Sequence, residues 1–194
     1  MILLIDNKTS NLDSVRNAFL RIGVSVIQSS DTEDLEKASA LILPGVGAYE
    51  KGMAGLRTEG LIEPIRRRVL EEGLPILGIC LGMQMLGSSS EEHGHYFGLD
   101  LIPGKVERLS PKDPLFRVPN IGWCDVMPTR DSVLFPAGTE MRSYYHVHSY
   151  FMDCENPENS SAVIDFDGDA VTVAVEMGNV FGTQFHPEKS QDAG

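Results

Sequence analysis

The chain has 194 residues, 28 of them acidic and 16 basic, which gives a formal net charge of −12 at pH 7. Such an acidic balance argues against a nucleic-acid partner, because phosphate backbones attract basic surfaces. No apolar run reaches the roughly 18 residues of a membrane span, and residues 1–6 lack the features of a secretory signal. The three cysteines are odd in number and widely spaced, which indicates free thiols in a reducing cytoplasm. We therefore expect one cytoplasmic domain spanning residues 1–194.

The first half of the chain alternates strand and helix patterns. Short apolar runs predict strands, and the stretches between them place apolar residues at helical spacing. The predicted strands are residues 2–5, 24–27, 40–43 and 75–79. The predicted helices are residues 11–21 and 61–72, ended by Gly23 and Gly73. This βαβ rhythm predicts a doubly wound, mostly parallel central sheet with helices on both faces, and functional groups at the carboxyl ends of its strands.

The second half of the chain has shorter apolar segments separated by Gly, Pro, Asn and Asp turns, which is typical of antiparallel strands. The predicted segments are residues 98–107, 120–127, 140–148, 161–167 and 170–185. We expect them to flank or extend the central sheet. The predicted fold class is therefore α/β with added antiparallel strands.

Cys80 lies where an apolar strand segment passes into a helix-like segment. Gly78 and Gly82 on either side allow the backbone to turn sharply around one side chain. The dipole of a helix that begins here favours negative charge at its N-terminus, and so favours the thiolate. The pattern predicts a strand-to-helix elbow that presents Cys80 as a nucleophile.

Such a nucleophile needs a general base, and the base needs a group that orients it. His186 and Glu188 follow a predicted strand directly, with Pro187 between them. His186 is the candidate base, and Glu188 is the candidate orienting group. Taken singly, Cys80 is as readily a buried structural cysteine and His186 a loop histidine, because free cysteine is often buried. The elbow and the His-Pro-Glu segment together favour catalysis.

Attack by a thiolate on a carbonyl group creates an oxyanion, which needs N–H donors. The backbone N–H of Leu81 is one candidate. The loop from Pro44 to Gly47 is a second, although a Pro-Gly pair after a strand is often only a turn. Gln84 lies one helical turn beyond Cys80 and is a candidate for holding a polar substrate, with a surface position as the alternative.

The segment that contains His148, Ser149 and Tyr150 ends another predicted strand and offers hydroxyl and backbone groups to a ligand. His146 and His148 alternate along this strand and so share one face. A metal pair would need further ligands, and none is evident nearby in the sequence. We expect no metal site.

These motifs resemble those of the class I glutamine amidotransferase family. The segments that match are residues 44–47, 78–84 and 186–190. A fuller match is with family members that deliver ammonia to a (β/α)8-barrel synthase subunit of histidine biosynthesis. It adds residues 11–15, 90–92, 101–104, 121–123 and 147–150, in the same order along the chain.

The resemblance implies hydrolysis of L-glutamine to glutamate and ammonia without a cofactor. Cys80 would attack the side-chain amide and form a γ-glutamyl thioester, His186 would transfer protons, and Glu188 would orient His186. The residues that the resemblance places in the oxyanion and glutamine sites are Val46, Gly47, Leu81, Gln84, His148, Ser149 and Tyr150.

The resemblance also implies a heterodimer with the barrel synthase, which would receive ammonia through a tunnel. The residues that match partner-facing positions are Asn11, Trp123, Tyr145 and Lys189. Such glutaminases are typically near-silent until the synthase binds its own ligand. The resemblance therefore implies that the second oxyanion donor points away from the site in the free chain.

Some residues depart from the family pattern. Residues 6–11 lack two glycines and a tyrosine, Cys124 replaces an asparagine after Trp123, and His146 replaces an aromatic residue. Because several departures fall where a partner would dock, a paralogous glutaminase serving another acceptor, such as a surface-sugar amidation pathway, is an alternative. A γ-glutamyl hydrolase and a non-enzymatic scaffold are further alternatives. The Gly-Val-Gly loop and the His-Ser-Tyr segment disfavour the hydrolase, and the intact triad disfavours the scaffold.

Overall fold

The structure, a computed structural model, describes residues 1–8 and 12–194. Within those ranges the strands form one sheet of nine strands and one of four. The elements of the first half are β1 (Ile2–Ile5), α1 (Leu12–Arg21), β2 (Val26–Ser29), α2 (Thr32–Glu36), β3 (Ala40–Gly45), α3 (Tyr49–Thr58), α4 (Ile62–Leu70), β4 (Ile76–Cys80) and α5 (Leu81–Met85). The strands of the second half are β5 (Ser89–Ser90), β6 (Tyr96–Phe97), β7 (Gly104–Arg108), β8 (Asn120–Pro128), β9 (Arg142–His148), β10 (Tyr150–Cys154), β11 (Ser160–Phe166), β12 (Asp169–Met177) and β13 (Val180–Thr183).

The strands β2, β1, β3, β4 and β13 lie side by side in that order and run parallel. Alternate residues of β1 face opposite sides of the sheet, as the pleat of a strand requires. Leu3 and Ile5 pack in the core cluster that includes residues of α3 and α4, whereas Leu4 packs with Leu12 and Val15 of α1. Helices therefore cover both faces of the parallel region, as the sequence predicts.

The same sheet continues beyond β13 through antiparallel strands. The strands β12, β11, β8 and β9 follow in that order, each pairing antiparallel with its neighbour. The small sheet pairs β10 with β7 antiparallel and β7 with β5 parallel. The α/β fold with added antiparallel strands is confirmed.

Several predicted bounds differ from the observed ones. β2 begins at Val26 rather than at residue 24, because the N–H of Val24 donates to Phe19 O at 2.9 Å and closes the end of α1. Helices α2 and α3 were not predicted, although Asp31 caps α2 by accepting from the N–H of Glu33 at 2.8 Å. The predicted segment 170–185 contains the two strands β12 and β13.

Residues 98–103 were predicted as the start of a strand, and this is wrong. The N–H of Leu99 donates to Met85 O, and the N–H groups of Leu101 and Ile102 donate to Leu86 O. The segment thus binds the carbonyl groups at the end of α5, and its apolar side chains are buried there. A segment that packs on the end of a helix can have an apolar pattern close to that of a strand. Of the predicted segment 98–107, only residues 104–107 form a strand, as part of β7.

Within the described ranges, no helix is both long and apolar enough to cross a membrane.

Candidate active site

Cys80 occupies the turn between β4 and α5. Its φ of 55° and ψ of −111° lie outside the regions that residues with a side chain favour. A Cβ atom at Gly78 would lie 2.7 Å from the backbone of Gly82, and one at Gly82 would lie 1.7 Å from Leu43 O. Only glycine at these two positions allows the close backbone approach that holds the turn. The strand-to-helix elbow predicted from the sequence is present.

His186 and Glu188 follow β13, which pairs parallel with β4. Because Thr183 lies opposite Ile79 in this pairing, the residues that follow Thr183 lie beside Cys80. His186 Nδ1 lies 2.8 Å from Glu188 Oε1, and the two side chains are 2% and 6% exposed. The fold therefore brings together the three residues that the sequence predicts as a triad.

The charge of His186 follows from its neighbours. Burial lowers the pKa of His186, but attraction to Cys80 and Glu188 outweighs burial and raises the pKa to about 9. His186 Nε2 is buried and has no hydrogen-bond partner among the described residues. Since Glu188 holds Nδ1, Nε2 is the atom that a substrate can meet. Catalytic hydrogen bonds are often open in free enzymes and tighten when substrate binds.

A cavity of about 280 Å³ opens at Cys80. This volume is near the lower end for small-molecule sites, and so suits a small substrate. Every catalytic or pocket residue predicted from the sequence lines the cavity except Glu188, which lies behind His186. The lining residues that were predicted are Val46, Gly47, Cys80, Leu81, Gln84, His148, Ser149, Tyr150 and His186.

The candidate oxyanion loop follows β3. Gly45 lies opposite Cys80 in the pairing of β3 with β4, so Val46 and Gly47 come directly after the neighbour of the nucleophile. Gly47 has a φ of 90°, in the left-handed region that favours glycine. Leu81, the other candidate donor, is the first residue of α5. Both candidate donors therefore border the cavity.

The segment that departs from the family pattern reaches this loop. Asn7 is fully buried, and its Nδ2 donates to Pro44 O at 3.2 Å. Thr9, Ser10 and Asn11 lie outside the described residues. The partner-facing role of Asn11 therefore stays a prediction.

Gln84 is buried in the cavity wall, with 5% of its surface exposed. The alternative of a surface glutamine is therefore wrong. Its Nε2 donates to Tyr150 O at 3.1 Å and to Gln184 Oε1 at 2.9 Å. Since both amide hydrogens are used within the protein, Oε1 is the atom of Gln84 that can meet a substrate.

His146 and His148 form a buried neutral pair. Burial lowers the pKa of His146 to about 3, and His148 and His186 lower it further. Burial also lowers the pKa of His148 to about 4. A hydrogen bond to the Tyr150 carbonyl raises this pKa, but burial has the larger effect. In the described part of the chain, no group of three or more His, Cys, Asp and Glu side chains is arranged to hold a metal ion.

The residues predicted to face a partner lie on β8, on β9 and just after His186. Trp123 and Tyr145 are paired across β8 and β9, with ring centroids 6.1 Å apart. Trp123 is 49% exposed and Ile121 is 61% exposed, so β8 carries an apolar surface. Lys189 is exposed in a short 3₁₀ helix.

This surface connects to the catalytic segment through the backbone of Tyr145. The N–H of His186 donates to Tyr145 O at 3.0 Å. The N–H of Tyr145 donates to Ser190 Oγ, also at 3.0 Å. A displacement of β9 would therefore act directly on His186.

Sequence reasoning missed Glu92 and Gln184. Glu92 lines the cavity, and its Oε2 accepts from the N–H of Tyr49 at 2.7 Å. Gln184 Nε2 lies 3.7 Å from Cys80 Sγ. A signal existed for Gln184, since it lies two residues before His186 and strand residues at that spacing share a face. Residues 90–92 matched the family, but the match gave Glu92 no role.

Comparison with known proteins agrees with this geometry. The family model described as glutamine amidotransferase class-I matches residues 3–194. A protein of Methanothermobacter thermautotrophicus named imidazole glycerol phosphate synthase subunit HisH is 45% identical and aligns over 100% of this chain and 93% of its own length. A Pseudomonas aeruginosa protein named imidazole glycerol phosphate synthase subunit HisH 2 is 40% identical and aligns over 100% of this chain and 95% of its own length. A solved structure of a glutamine amidotransferase, 21% identical, covers 97% of this chain and 91% of that one with a TM-score of 0.76.

The fold is thus that of a glutamine amidotransferase, and the chain belongs to the class-I glutamine amidotransferase family. Within that family it is similar along its full length to subunits named HisH.

Proposed function

We propose that this chain is a glutaminase subunit that hydrolyses the side-chain amide of L-glutamine and supplies ammonia to a synthase of histidine biosynthesis. The observation that carries the proposal is the cavity on which Cys80 and His186 meet, with Glu188 behind His186. Relatives that align with the whole of this chain are named as subunits of imidazole glycerol phosphate synthase. The chain acts as one domain over residues 1–194, in the cytoplasm, where a thiol stays reduced.

The first half of the reaction forms a thioester. The thiolate of Cys80 attacks the amide carbon of glutamine, and the carbonyl electron pair moves onto oxygen. The N–H groups of Val46 and Leu81 stabilise the resulting oxyanion. When the oxyanion collapses, the carbon–nitrogen bond breaks and His186 gives its proton to the departing ammonia. The pKa of His186, about 9, keeps that proton in place at neutral pH.

The second half of the reaction regenerates the thiolate. His186, now neutral, takes a proton from water, and the hydroxyl attacks the thioester carbon. The sulfur of Cys80 leaves, and glutamate is released. Glu188 holds Nδ1 of His186 throughout, so that Nε2 carries out both proton transfers.

The polar ends of glutamine are held by the rest of the cavity. Glu92 supplies a carboxylate for the α-ammonium group, and Gln84 supplies its free Oε1. The segment containing His148, Ser149 and Tyr150 lines the same cavity, with Tyr150 beside Gln84. Because His148 is neutral at physiological pH, it adds no second positive charge beside His186.

The partner is a (β/α)8-barrel synthase subunit, and the complex is a heterodimer through which ammonia passes without entering bulk water. Trp123 and Tyr145 on β8 and β9, together with Lys189, form the docking surface. Asn11 is assigned to the same surface from the family pattern. The support for this surface is the exposure of Trp123 and the hydrogen bond from His186 to Tyr145 O.

Glutamate release from glutamine tests the proposal. We expect low turnover by the chain alone and strong stimulation by a histidine-pathway barrel synthase with its nucleotide ligand. Cys80→Ala removes the nucleophile, and we expect a fall in stimulated turnover of at least about 10³-fold. The matched control is Cys154→Ala, since burial and the charge of Asp153 raise the pKa of Cys154 to about 11 and leave it a poor nucleophile.

Each outcome separates the competing functions. Turnover that depends on Cys80 but is not stimulated by the synthase would move the chain to a paralogous acceptor pathway. Faster cleavage of γ-glutamyl peptides than of glutamine would instead indicate a γ-glutamyl hydrolase. Equal turnover by the wild type and Cys80→Ala would contradict the thiol mechanism itself.

A further inference from the structure

Gln184 is the first residue after β13, and none of its surface is exposed. Its backbone N–H donates to Val173 O at 2.8 Å and fixes the segment against β12. The pairing of Thr183 with Ile79 places Gln184 beside Cys80. Its Nε2 lies 3.7 Å from Cys80 Sγ, within hydrogen-bond range for sulfur.

Neighbouring hydrogen bonds fix which end of the Gln184 amide faces the sulfur. The carbonyl oxygen of Tyr150 can only accept, so the atom of Gln84 that lies 3.1 Å from it must be the amide nitrogen. That nitrogen donates its other hydrogen at 2.9 Å to Gln184, which must therefore present its oxygen to Gln84. The amide nitrogen of Gln184 then faces Cys80.

The far end of this chain of hydrogen bonds is anchored as well. Tyr150 O also accepts from His148 Nδ1 at 2.9 Å, and a carbonyl oxygen has two lone pairs for two donors. His148 Nε2 lies 3.4 Å from Asn120 Nδ2 on β8. The orientation of the Gln184 amide is thus tied through Tyr150 O and His148 to Asn120 on β8.

We propose that Gln184 is a positioning residue for the nucleophile, donating an amide hydrogen to Cys80 Sγ and holding the thiolate in line with the cavity. A donor to the sulfur stabilises the thiolate more than the thiol, because hydrogen bonds to charged groups are the stronger ones. It also limits rotation of the sulfur about the strained elbow. The proposal rests on the use of Cys80 as the nucleophile.

Alkylation of Cys80 by iodoacetamide tests the contact without using glutamine. The rate is measured against pH by mass spectrometry of the peptide that contains Cys80. The other titratable side chains that line the cavity with this sulfur are His186, His148, Glu92 and Tyr150. The variants are Gln184→Met, which removes the amide, and Gln184→Glu, which keeps an acceptor for Gln84 but replaces the donor beside the sulfur by a carboxylate.

We expect the pH midpoint of Cys80 alkylation to rise by about one unit in both variants, with a roughly tenfold slower rate below the midpoint. Gln28→Met is the matched control, because Gln28 is exposed on β2. We expect the midpoint of Cys80 alkylation in this variant to equal that of the wild type. If Gln184 gives the sulfur no hydrogen bond, Gln184→Met will alkylate with the midpoint of the wild type, because methionine adds no charge beside Cys80. A raised midpoint in Gln184→Glu alone would reflect its new charge and would also count against the contact.

That result would overturn the proposal, as would a lowered melting temperature with an unchanged midpoint in both variants. Gln184→Leu, which is also uncharged and lacks a donor, carries the test if Gln184→Met does not fold. The result does not depend on turnover, because the alkylation rate reports the sulfur directly. A chain that proves inactive towards glutamine would refute the proposed function while leaving this contact measurable.

Discussion

The two halves of the large sheet organise the site differently. In the parallel half, the backbone positions the nucleophile: Gly78 and Gly82 let β3, β4 and α5 approach closely, and Cys80 is held in a strained turn. In the antiparallel half, side chains on β8 and β9 form the proposed docking surface, where Trp123 is half exposed. We therefore expect the proposed chemistry where the backbone is fixed, and the proposed docking surface where side chains can vary.

Two of the departures from the family pattern agree with this contrast, whereas the changed residues 6–11 follow β1 of the parallel half along the chain. Cys124 and His146 both lie in the antiparallel half, on β8 and β9. Neither the elbow nor the His-Pro-Glu segment carries such a change. A change at the elbow meets backbone atoms, whereas a change on β8 or β9 alters packing that neighbouring side chains can adjust.

Gly82→Ala tests the rigidity of the parallel half and has the largest expected effect on stability. The new Cβ would meet Leu43 O at 1.7 Å, and neither backbone segment can move without displacing Cys80. We expect a loss of about 3 kcal/mol or more in the free energy of unfolding, measured by urea denaturation. Gly60→Ala is the control, because a Cβ there meets nothing within 4 Å and only its φ of 67° is strained. We expect a loss of about 1–2 kcal/mol for that variant. Equal losses would refute the close-approach argument.

Glu188→Gln tests the catalytic end of the same half. Burial lowers the pKa of His186, and Glu188 is one of the two groups that raise it to about 9. Loss of that carboxylate charge lowers the pKa of His186, so the alkaline limb of glutaminase activity should move from near pH 9 to lower pH. We expect turnover to fall about 100-fold or more.

The control for this variant is Glu140→Gln, at an exposed site on the chain, which should leave both turnover and the pH profile unchanged. A fall in turnover with the alkaline limb still near pH 9 would mean that Glu188 acts only through packing.

The sequence predicted the strands and the elbow of the parallel half, because their signals are local, although it missed α2 and α3. An apolar run that ends at Cys80 between two glycines specifies the elbow, and His186 with Glu188 marks the end of a strand. The contacts of Gln184 and Glu92 depend on residues far away in the chain. No pattern near Gln184 specifies that Gln84 will fix its amide, and no pattern near residue 98 separates a strand from a helix cap.

Trp123→Ala tests the docking surface of the antiparallel half. Trp123 packs against Tyr145, whose carbonyl oxygen accepts from the N–H of His186. We expect the synthase concentration for half-maximal stimulation to rise about tenfold or more, since large aromatic residues dominate the energy of interfaces. Leu115→Ala is the control, because Leu115 is 84% exposed between β7 and β8 rather than on β8, and its loss should leave this concentration unchanged. An unchanged concentration for Trp123→Ala would place the synthase on another surface.

His146→Phe has the smallest expected effect and tests the boundary between the two halves, where β9 meets the catalytic segment. Burial lowers the pKa of His146 to about 3 and that of His148 to about 4, whereas histidine in an unfolded chain titrates near about 6.5. Below pH 6.5 the unfolded state therefore binds protons that the folded state does not, and stability falls as the pH drops towards 4.

Removing His146 removes one of these protons, so the slope of unfolding free energy against pH should decrease by up to about 1.4 kcal/mol per pH unit between pH 6.5 and 4. The phenylalanine ring can keep the edge contact with Phe185, whose ring centroid lies 5.7 Å from that of His146. Leu115→Ala, at an exposed site without a titratable side chain, should leave the slope as in the wild type. An unchanged slope in His146→Phe would show that His146 already carries a proton in the folded chain. In that case a positive charge would face His186 from β9, and the antiparallel half would contribute to the electrostatics of the site as well as to docking.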